Sequence, residues 1–457
     1  MMNSLEQTFA RLRAAADADP DPEAARREEW LRAFESALAA RSDTLAAAVS
    51  ADFGGRLRHE TLLAEIYVTI ESFRHARRHL RRWMKPRRRP VPLTLGMGSA
   101  RVQPQPLGVI GVMAPWNYPV MLSLTPIAGA LAAGNRVLLK PAEATPRTSE
   151  ALAELVGAAV SPDIATVLCG DAELGAAFAR QPFDHLLFTG STRIGRLVAK
   201  SAAENLTPVT LELGGKSPAL VLPDADLDGA AADIAFGKFT NAGQTCIAPD
   251  YVLVPRERIE ALTAALRRAV TTYYGPAMTA IFPGQAGRIR ALLDEARARG
   301  VRIEELGPAL PALDCGPCAL LDPPADIGVM REEIFGPLLP LVPYDSLDQA
   351  LADIQGGEHP LALYLFGRDR SKIARALKQT RSGAVVINDT LVHAAIEELP
   401  FGGVGASGMG RYRGKDGFDR FSNMKAVFER RGPRLDRLVR PPATRLHETV
   451  MRWLIGG

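Results

Sequence analysis

Short apolar segments alternate with alanine-rich helical segments through the middle of the chain. The alternation follows the order strand then helix, over Leu107–Ala114, Val120–Ala133, Arg136–Lys140, Pro146–Val160, Ala165–Leu168, Asp171–Arg180, Asp184–Phe188, Thr192–Ala203 and Val209–Leu213. Parallel strands need a long crossover connection, which is usually a helix, so this order predicts a parallel sheet with helices on both faces. Such a doubly wound sheet is typical of nucleotide-binding proteins.

A second α/β series follows Gly215. Its predicted strands are Pro218–Leu222, Leu361–Phe366 and Ala384–Ile387, and its predicted helices follow the acidic cluster Asp224, Asp226 and Asp228 and cover Arg256–Tyr273, Gly284–Arg299 and Ser346–Gln355. Residues 5–50 and 62–83, ahead of the first series, have helical periodicity. We therefore predict an α/β fold with two doubly wound parallel-sheet domains, for which 457 residues are ample.

Cys246 lies in a loop of small and polar residues between the helix-like Gly229–Phe239 and the strand-like Tyr251–Pro255. A structural cysteine more often lies inside an apolar run, where it packs as a small hydrophobe. Earlier in the chain, Glu212 stands at the end of a strand, before a Gly-Gly loop. A thiol nucleophile needs a base, and a glutamate among apolar neighbours has its pKa raised toward that task. On these residues alone, a catalytic pair and a structural pair both remain open.

Two strand ends carry residues suited to a dinucleotide. Gly190, Ser191 and Gly195 lie in a turn that follows a strand and opens a helix, where main-chain N–H groups can approach a pyrophosphate. The turn reads G-x-T-x-x-G, so an ordinary strand-to-helix turn is the alternative. Lys140 and Glu143 follow another strand and suit the hydroxyls of a ribose. A carboxylate at the adenosine ribose repels a 2′-phosphate and so favours NAD over NADP.

Composition indicates the cellular compartment and the class of partner. The cysteines are Cys169, Cys246, Cys315 and Cys318, too few in a chain of this length for a disulfide framework, which favours a reducing compartment. The first residues hold no apolar segment of the secretory type, and no apolar run is long enough to span a bilayer. We expect a cytoplasmic protein. The net charge of +4 does not by itself favour a nucleic-acid partner.

Six motifs, in this order, are similar to those of the NAD(P)-dependent aldehyde dehydrogenase superfamily. They are Pro115-Trp116-Asn117-Tyr118-Pro119, Lys140-Pro141-Ala142-Glu143, the segment Leu211–Pro218, Gly243-Gln244-Thr245-Cys246, Glu332-Glu333-Ile334-Phe335-Gly336-Pro337 and Pro400-Phe401-Gly402-Gly403. The short N-terminal part, Cys246–Tyr251 and Gly405–Gly410 resemble the class 3 branch, and within it the bacterial coniferyl aldehyde dehydrogenases. The resemblance implies oxidation of an aldehyde, aromatic (coniferyl-like) or medium-chain aliphatic, to the carboxylic acid.

The resemblance also implies a role for each matching residue. Cys246 resembles the nucleophile, Glu212 the general base, and Asn117 the side-chain donor to the oxyanion. The residues that resemble cofactor ligands are Trp116, Lys140, Glu143, Gly190, Ser191, Gly195, Glu333 and Phe335. The implied cofactor is NAD, with NADP as the alternative. If coenzyme A accepted the acyl group, the product would be a thioester instead, but Glu212 favours water. A non-catalytic protein of the same fold is disfavoured because Asn117, Glu212 and Cys246 are all present.

The family architecture implies three parts, to which the sequence adds a C-terminal amphipathic tail. An NAD-binding domain would take residues 1–97 and 107–213, a catalytic domain 214–423, an oligomerisation arm 98–106 and 424–433, and a tail 434–457. The arm would add strands near Gly98–Pro106 and Lys425–Glu429 to a partner's sheet, giving a homodimer. The basic, amphipathic tail would either lie on a membrane surface or pack on the body or a partner subunit.

Other signals point away from additional functions. Cys315-Gly316-Pro317-Cys318 has redox-motif spacing but follows a loop rich in proline and glycine, and no second cysteine pair completes a zinc site. We expect no metal site. The basic run between Arg74 and Arg89, with His75 and His79, is predicted to be a solvated helix end and not a nucleic-acid surface.

Two departures from the class 3 pattern are visible. The segment between Tyr274 and Gly284 is shorter than in class 3 relatives, and Arg413 stands where those relatives often have histidine.

Overall fold

Helices and strands alternate along the chain in this computed structural model, which describes residues 2–92, 98–275, 277–310, 312–431, 441–442 and 444–456. The helices are α1 (Met2–Ala18), α2 (Ala24–Ala40), α3 (Ser42–Phe53), α4 (Arg58–Thr61), α5 (Val68–Trp83), α6 (Met121–Ala132), α7 (Pro146–Ala159), α8 (Ala172–Ala179), α9 (Thr192–Ala203), α10 (Leu227–Phe239), α11 (Ile259–Tyr274), α12 (Pro283–Ala298), α13 (Gly328–Arg331), α14 (Leu347–Gly356), α15 (Arg370–Gln379), α16 (Gly414–Arg420) and α17 (Arg445–Ile455). A π-helical segment, Leu62–Tyr67, joins α4 to α5, and 3₁₀ turns cover Thr240–Gly243, Arg256–Arg258, Val392–Ala395 and Gly405–Ser407.

The strands are β1 (Arg87–Arg89), β2 (Gly98–Pro106), β3 (Val109–Met113), β4 (Arg136–Lys140), β5 (Ala165–Val167), β6 (His185–Thr189), β7 (Val209–Glu212), β8 (Pro218–Val221), β9 (Tyr251–Pro255), β10 (Arg302–Glu305), β11 (Cys318–Leu321), β12 (Leu338–Tyr344), β13 (Ala362–Phe366), β14 (Ala384–Ile387), β15 (Gly408–Met409) and β16 (Ser422–Arg430). They form three sheets, of which two are the large α/β sheets that the alternation of segments predicts. The predicted α/β fold class is confirmed.

The first sheet has the order β15-β7-β6-β3-β4-β5 and is parallel except for β15. Strands β3, β4 and β6 are buried along their whole length, as expected for parallel strands covered on both faces. Apolar residues of α2, α3, α5, α6 and α7 form the core on one face, and those of α1, α8 and α9 form it on the other. This sandwich sets the ends of β3, β4, β6 and β7 along one edge.

The second sheet has the order β10-β11-β12-β9-β8-β13-β14 and is parallel except for β10. Each large sheet therefore carries one antiparallel edge strand, which the expectation of purely parallel sheets did not include. In the first sheet this strand comes from late in the chain, since Gly408 pairs with Glu212. A Cβ at position 408 would lie 2.2 Å from the Leu211 oxygen, so the pairing requires glycine.

The third sheet is antiparallel and has the order β1-β2-β16. It contains the two segments for which the sequence predicted arm strands, and β1 joins them. The end of the predicted arm, residues 432–433, and part of the predicted tail, residues 434–440, 443 and 457, lie outside the described residues. In the part of the chain that is described, no helix has both the length and the apolar character to cross a membrane.

Some arginines of the basic run at the end of α5 are paired with carboxylates, so this part of the run is not simply solvated. Arg77 donates to both oxygens of Glu35, and Arg81 donates to both oxygens of Glu28. Both acceptors lie on α2, so the charges of the run join two helices. Arg87 of β1 likewise bonds to Asp419 of α16.

Candidate active site

A cavity of about 960 Å³ opens at the edge where β3, β4, β6 and β7 end. It is lined by ten of the predicted site residues, Trp116, Asn117, Lys140, Glu143, Gly190, Ser191, Glu212, Cys246, Glu333 and Phe335. Gly195 does not line it. Gly195 lies in the first turn of α9, where a Cβ would come within 2.6 Å of the Leu213 side chain, so this glycine lets the helix pack closely on the strand end.

The loop that carries Cys246 has a backbone conformation with positive φ angles, which few residue types adopt. Asn241 and Ala242 have positive φ angles of 54° and 52°, in the left-handed region. At Gly243, with φ of 77°, a Cβ would lie 2.4 Å from the Gly336 oxygen, so only glycine fits. The Tyr118 hydroxyl bonds to the Thr245 hydroxyl at 2.8 Å, immediately before the cysteine. The loop is thus fixed from both sides of the cavity.

The Cys246 thiol is half-buried at the wall of the cavity. Burial, together with the nearby carboxyls of Glu333 and Glu212, raises its pKa to about 12, while Arg413 opposes them. At neutral pH the resting group is therefore the thiol, and forming the thiolate nucleophile requires a base.

Glu212 provides a carboxyl group in the same cavity. It ends β7, and both its carboxyl oxygens are buried without a hydrogen-bond partner. Burial raises its pKa well above the ordinary value, against the opposing charges of Arg413, Arg411 and Arg420. A carboxylate that holds a proton so readily is suited to accept one from a thiol or from water.

Asn117 lies on the loop after β3 and is buried. Its side-chain amide donates to the Gln244 oxygen at 3.1 Å, and its own main-chain oxygen accepts from Asn241 at 3.0 Å and from Arg56 at 3.0 Å. An amide nitrogen carries two hydrogens, so the second is left for a ligand beside Cys246. Arg56 is in turn paired with Glu65 at 2.8 Å, and both side chains are fully buried.

Lys140 and Glu143 form an ion pair of 2.9 Å at the end of β4. Lys140 is buried and Glu143 is more than half exposed. Burial tends to raise the pKa of Glu143, but the hydrogen bond and the charge of Lys140, together with a main-chain hydrogen bond, outweigh it, so the pKa is lowered. The pair is therefore ionised and faces the cavity, as an adenosine ribose requires.

Ser191 begins α9 at the adjoining strand end. Its side chain accepts from the Ile194 N–H at 3.4 Å, as an N-cap residue does. The helix N-terminus faces the cavity, where its unpaired N–H groups and its dipole favour a pyrophosphate. Together with the ionised ribose pair, this arrangement fits a dinucleotide.

Glu333 and Phe335 line the opposite part of the cavity. One carboxyl oxygen of Glu333 is buried and unpartnered, and burial together with the charge of Asp250 raises its pKa to about 8. A Cβ at position 214 would lie 2.0 Å from the other oxygen, so Gly214 makes room for this carboxyl. An unpartnered acceptor at this place fits the hydroxyls of a second ribose.

Phe282 is a residue that sequence reasoning missed. Its ring stacks on Trp116 at 4.6 Å, and Trp116 meets Phe335 edge-on at 5.6 Å. Phe282 belongs to the shortened connection between α11 and α12, of which Pro276 lies outside the described residues. Its N–H donates to Gln244 at 2.7 Å, and Ala280 donates to Gly55 at 2.9 Å. The shorter connection is thus anchored to both the cysteine loop and the N-terminal helices.

Cys315 and Cys318 lie away from this cavity. Both are buried in the core beside β11 and α12, with their sulfurs 3.5 Å apart, and the Cys318 thiol also bonds to the Gly316 oxygen at 3.1 Å. They are free cysteines.

Comparison with known proteins finds relatives of nearly the whole chain. The family model described as the aldehyde dehydrogenase family matches residues 3–427. A probable coniferyl aldehyde dehydrogenase of Pseudomonas aeruginosa is 47% identical over 447 residues, which cover 96% of this chain and 94% of that protein.

Solved structures agree with this match. The substrate-bound state of Staphylococcus aureus AldH has a TM-score of 0.93 and 35% identity, covering 98% of this chain and 99% of that one. The Mycobacterium tuberculosis aldehyde dehydrogenase complexed with NAD⁺ has a TM-score of 0.84 and 31% identity, covering 93% and 90%.

Proposed function

The chain belongs to the aldehyde dehydrogenase family, and on that basis we propose that its substrate is an aromatic aldehyde of the coniferyl type. It oxidises aldehydes to carboxylic acids and uses NAD(P). The substrate class is supported by the relative from Pseudomonas aeruginosa, a probable coniferyl aldehyde dehydrogenase that is 47% identical. A medium-chain aliphatic aldehyde is the alternative, because an apolar pocket separates such substrates by only about 1–3 kcal/mol.

The reaction begins at Cys246. Glu212 accepts the thiol proton, and the sulfur attacks the aldehyde carbon to form a thiohemiacetal. The second N–H of the Asn117 amide and the Cys246 main-chain N–H stabilise the negative charge that develops on the aldehyde oxygen. Because these donors are held in place before the reaction, they need no reorganisation as the charge forms.

The cofactor is held by the residues at the strand ends. Lys140 and Glu143 hold the adenosine ribose, the turn of Gly190 and Ser191 receives the pyrophosphate, and Glu333 holds the second ribose. We favour NAD over NADP, since the ionised Glu143 repels a 2′-phosphate. When bound, the nicotinamide supplies the two-electron oxidation that turns the thiohemiacetal into a thioester. Trp116 and Phe335 form the apolar wall of the cavity, and Phe282 packs behind Trp116.

One observation carries the release step: both oxygens of Glu212 are buried and unpartnered in the cavity that also contains Cys246. A carboxylate placed there activates water for attack on the thioester. If coenzyme A released the acyl group, its own thiol would be the nucleophile and a buried base for water would have little use.

The experiment that tests this proposal measures NADH formation by absorbance. Coniferaldehyde, benzaldehyde and an aliphatic aldehyde series are each assayed with and without coenzyme A. We expect turnover without coenzyme A, with coniferaldehyde having the highest kcat/KM. Turnover only with coenzyme A would replace hydrolysis by acyl transfer, and a preference for aliphatic aldehydes would replace the substrate class.

We further propose that the chain is divided into two domains and an oligomerisation arm. Residues 1–97 and 107–213 form the NAD-binding domain, 214–423 the catalytic domain, and 98–106 with 424–433 the oligomerisation arm. Support comes from the antiparallel sheet β1-β2-β16, in which β16 forms one edge that a partner's sheet can extend. Sedimentation velocity tests the resulting homodimer, and a monomer at micromolar concentration would contradict it.

The proposed location is the cytoplasm, because the few cysteines of the chain are free in the structure. The tail contains α17, on which Leu446, Met451, Trp453, Leu454 and Ile455 are exposed. We propose that this helix packs on a partner subunit. A vesicle flotation assay with anionic and neutral lipids tests the alternative of a membrane surface.

A further inference from the structure

Two histidines and a glutamate meet on the surface of the N-terminal helices, away from the cavity. His75 and His79 are four residues apart on α5, and so lie on one face of the helix. Glu398 reaches them from the loop that follows the 3₁₀ turn Val392–Ala395. One ligand atom from each residue lies within 4.8 Å of the other two. The expectation that the chain has no metal site overlooked this histidine spacing.

Two of the distances between these ligand atoms are near those of a tetrahedral metal site, and the two histidine nitrogens lie within 4.8 Å of each other. The Glu398 carboxyl oxygen is 3.4 Å from His75 Nε2 and 4.0 Å from His79 Nε2. In a tetrahedral zinc site with bonds of about 2.0–2.2 Å, neighbouring ligand atoms lie about 3.3–3.6 Å apart. The first distance already matches, and the second needs a movement of about half an ångström by an exposed glutamate.

The hydrogen bonds leave the required lone pairs available. His79 Nδ1 lies 2.9 Å from the His75 main-chain oxygen, so Nδ1 carries the proton and Nε2 is the acceptor. His75 Nε2 is buried and has no hydrogen-bond partner. The Trp83 ring packs against both imidazoles, with centroid distances of 5.6 Å to His75 and 5.8 Å to His79. The rings are therefore held in place before any ligand binds.

The charged groups around the cluster do not block it. Arg82 approaches Glu398 to 3.9 Å, beyond hydrogen-bond distance, and both side chains are more than half exposed, so their attraction is weak. Glu397 is already occupied by the Ser72 hydroxyl at 2.5 Å and by Arg413 at 3.5 Å.

We propose that His75, His79 and Glu398 form a binding site for Zn²⁺ or a similar divalent cation, with water as the fourth ligand. Imidazole and carboxylate are ligands that zinc takes readily. The ion would join α5 to the loop before Phe401, segments that are far apart in the chain. The site is separate from the cavity, so its role is to stabilise this junction and not to take part in the oxidation.

The test is a titration of the full-length protein, freed of metal by a chelator, with Zn²⁺ by calorimetry and with Co²⁺ by visible spectroscopy. We expect a single site in the wild type, with the cobalt d–d bands of nitrogen and oxygen ligands and without a thiolate charge-transfer band. His79→Gln and Glu398→Gln should each weaken binding at least about 10-fold, because losing a ligand costs no less than losing a residue that only orients one. His59→Gln, on the exposed surface of α4, is the matched control and should bind as the wild type does.

A second measurement separates binding from folding. Zn²⁺ should raise the Tm of the wild type and of His59→Gln, and should leave the Tm of His79→Gln and Glu398→Gln unchanged, while all four proteins keep the same circular dichroism spectrum. The proposal is overturned by affinities that are equal in all four proteins, by a thiolate band that accounts for all bound cobalt, or by a wild type that binds neither ion.

Discussion

The side-chain amide of Asn117 donates a hydrogen bond to the main-chain oxygen of Gln244, 3.1 Å away and two residues before Cys246. This bond joins the loop after β3 to the loop of the nucleophile. It engages one of the two amide hydrogens and leaves the other for a ligand in the cavity that Asn117 and Cys246 both line, as the proposed oxyanion donor requires.

Replacing Asn117 by alanine removes that donor. We expect kcat for aldehyde oxidation to fall about 10²- to 10³-fold, since one preorganised donor contributes about 2.7–4 kcal/mol to the barrier. In Asn117→Asp, which keeps the shape but places a negative charge beside the oxyanion, kcat should fall at least as far. Steady-state kinetics and NAD binding by fluorescence check both. A fall in NAD affinity that accounts for the whole loss would contradict the assignment.

Replacing Glu212 by glutamine removes the base for water. We expect up to one equivalent of NADH per active site to form more slowly than in the wild type, because the thiol has lost its base, and turnover to be slower still, because the thioester is not hydrolysed. Stopped-flow absorbance measures this first equivalent, and mass spectrometry detects the acylated Cys246. Cys246→Ala is the control, with NAD bound and no NADH formed. Steady turnover in Glu212→Gln at the wild-type rate would assign the base to another residue.

Arg413 is a buried cation near both groups, and it lowers the pKa values that burial raises at Cys246 and Glu212. In Arg413→Gln both pKa values should rise, so the acidic limb of the kcat/KM profile should move about one pH unit higher, which lowers the rate there about tenfold. Arg413→Lys should restore most of the loss. The pH dependence of Cys246 alkylation by iodoacetamide should move in the same direction.

The control for this prediction is Arg411→Gln. Arg411 also acts on Glu212 but is exposed, so solvent screens its charge. Its profile should stay close to that of the wild type. An equal shift in the two variants would show that Arg413 has no special place beside the thiol.

The fold class could be predicted because parallel buried strands joined by helices give a visible sequence pattern, in which apolar segments alternate with helical segments over Leu107–Leu213. The loop of Cys246 and the carboxyl of Glu212 stood out for a similar reason, as each interrupts an apolar pattern at a strand or helix end. The structure places them in one cavity with Asn117. Their roles remain predictions.

What the sequence did not reveal depends on contacts between distant segments. Arg56 and Glu65 look like ordinary surface charges in the sequence, but contacts with the start of α6 and with the rings of Phe53 and Tyr118 make them buried partners. Phe282 lies in a short connection without periodicity, and its place beside Trp116 follows from a hydrogen bond to Gln244. Strand β15 has two residues, too few to show a pattern.

The raised pKa of Glu333 predicts how stability depends on pH. Its pKa is about 8 in the folded protein, against 4.5 for the unperturbed group, so the folded state binds this proton more tightly. The contribution to stability is therefore fully present below about 4.5 and is lost as pH rises through about 8. Glu333→Gln cannot ionise, so without cofactor its Tm relative to the wild type should increase between about pH 5 and pH 9. Calorimetry at several pH values measures this difference, and a difference that stays constant would contradict the prediction.

Among the substitutions considered, we expect those that break the ion pair of Arg56 and Glu65 to cause the largest loss of stability. Both side chains are fully buried, and Glu65 also accepts from the N–H groups of Val120 at 2.7 Å and Met121 at 3.1 Å, at the start of α6. Removing one partner leaves an uncompensated buried charge, so Arg56→Met or Glu65→Leu should lower the free energy of unfolding by about 3–5 kcal/mol.

The double variant Arg56→Met/Glu65→Leu should lose less than the sum of the two single variants, since it buries no unpaired charge. It should still be less stable than the wild type, because the N–H groups of Val120 and Met121 lose their acceptor. The matched control is Arg77→Gln, whose pair with Glu35 is partly exposed and should contribute less than about 1 kcal/mol. Guanidinium denaturation measures the free energy of unfolding of the four variants and the wild type. If the loss in the double variant equals the sum of the losses in the two single variants, the two charges do not depend on each other and the prediction is contradicted.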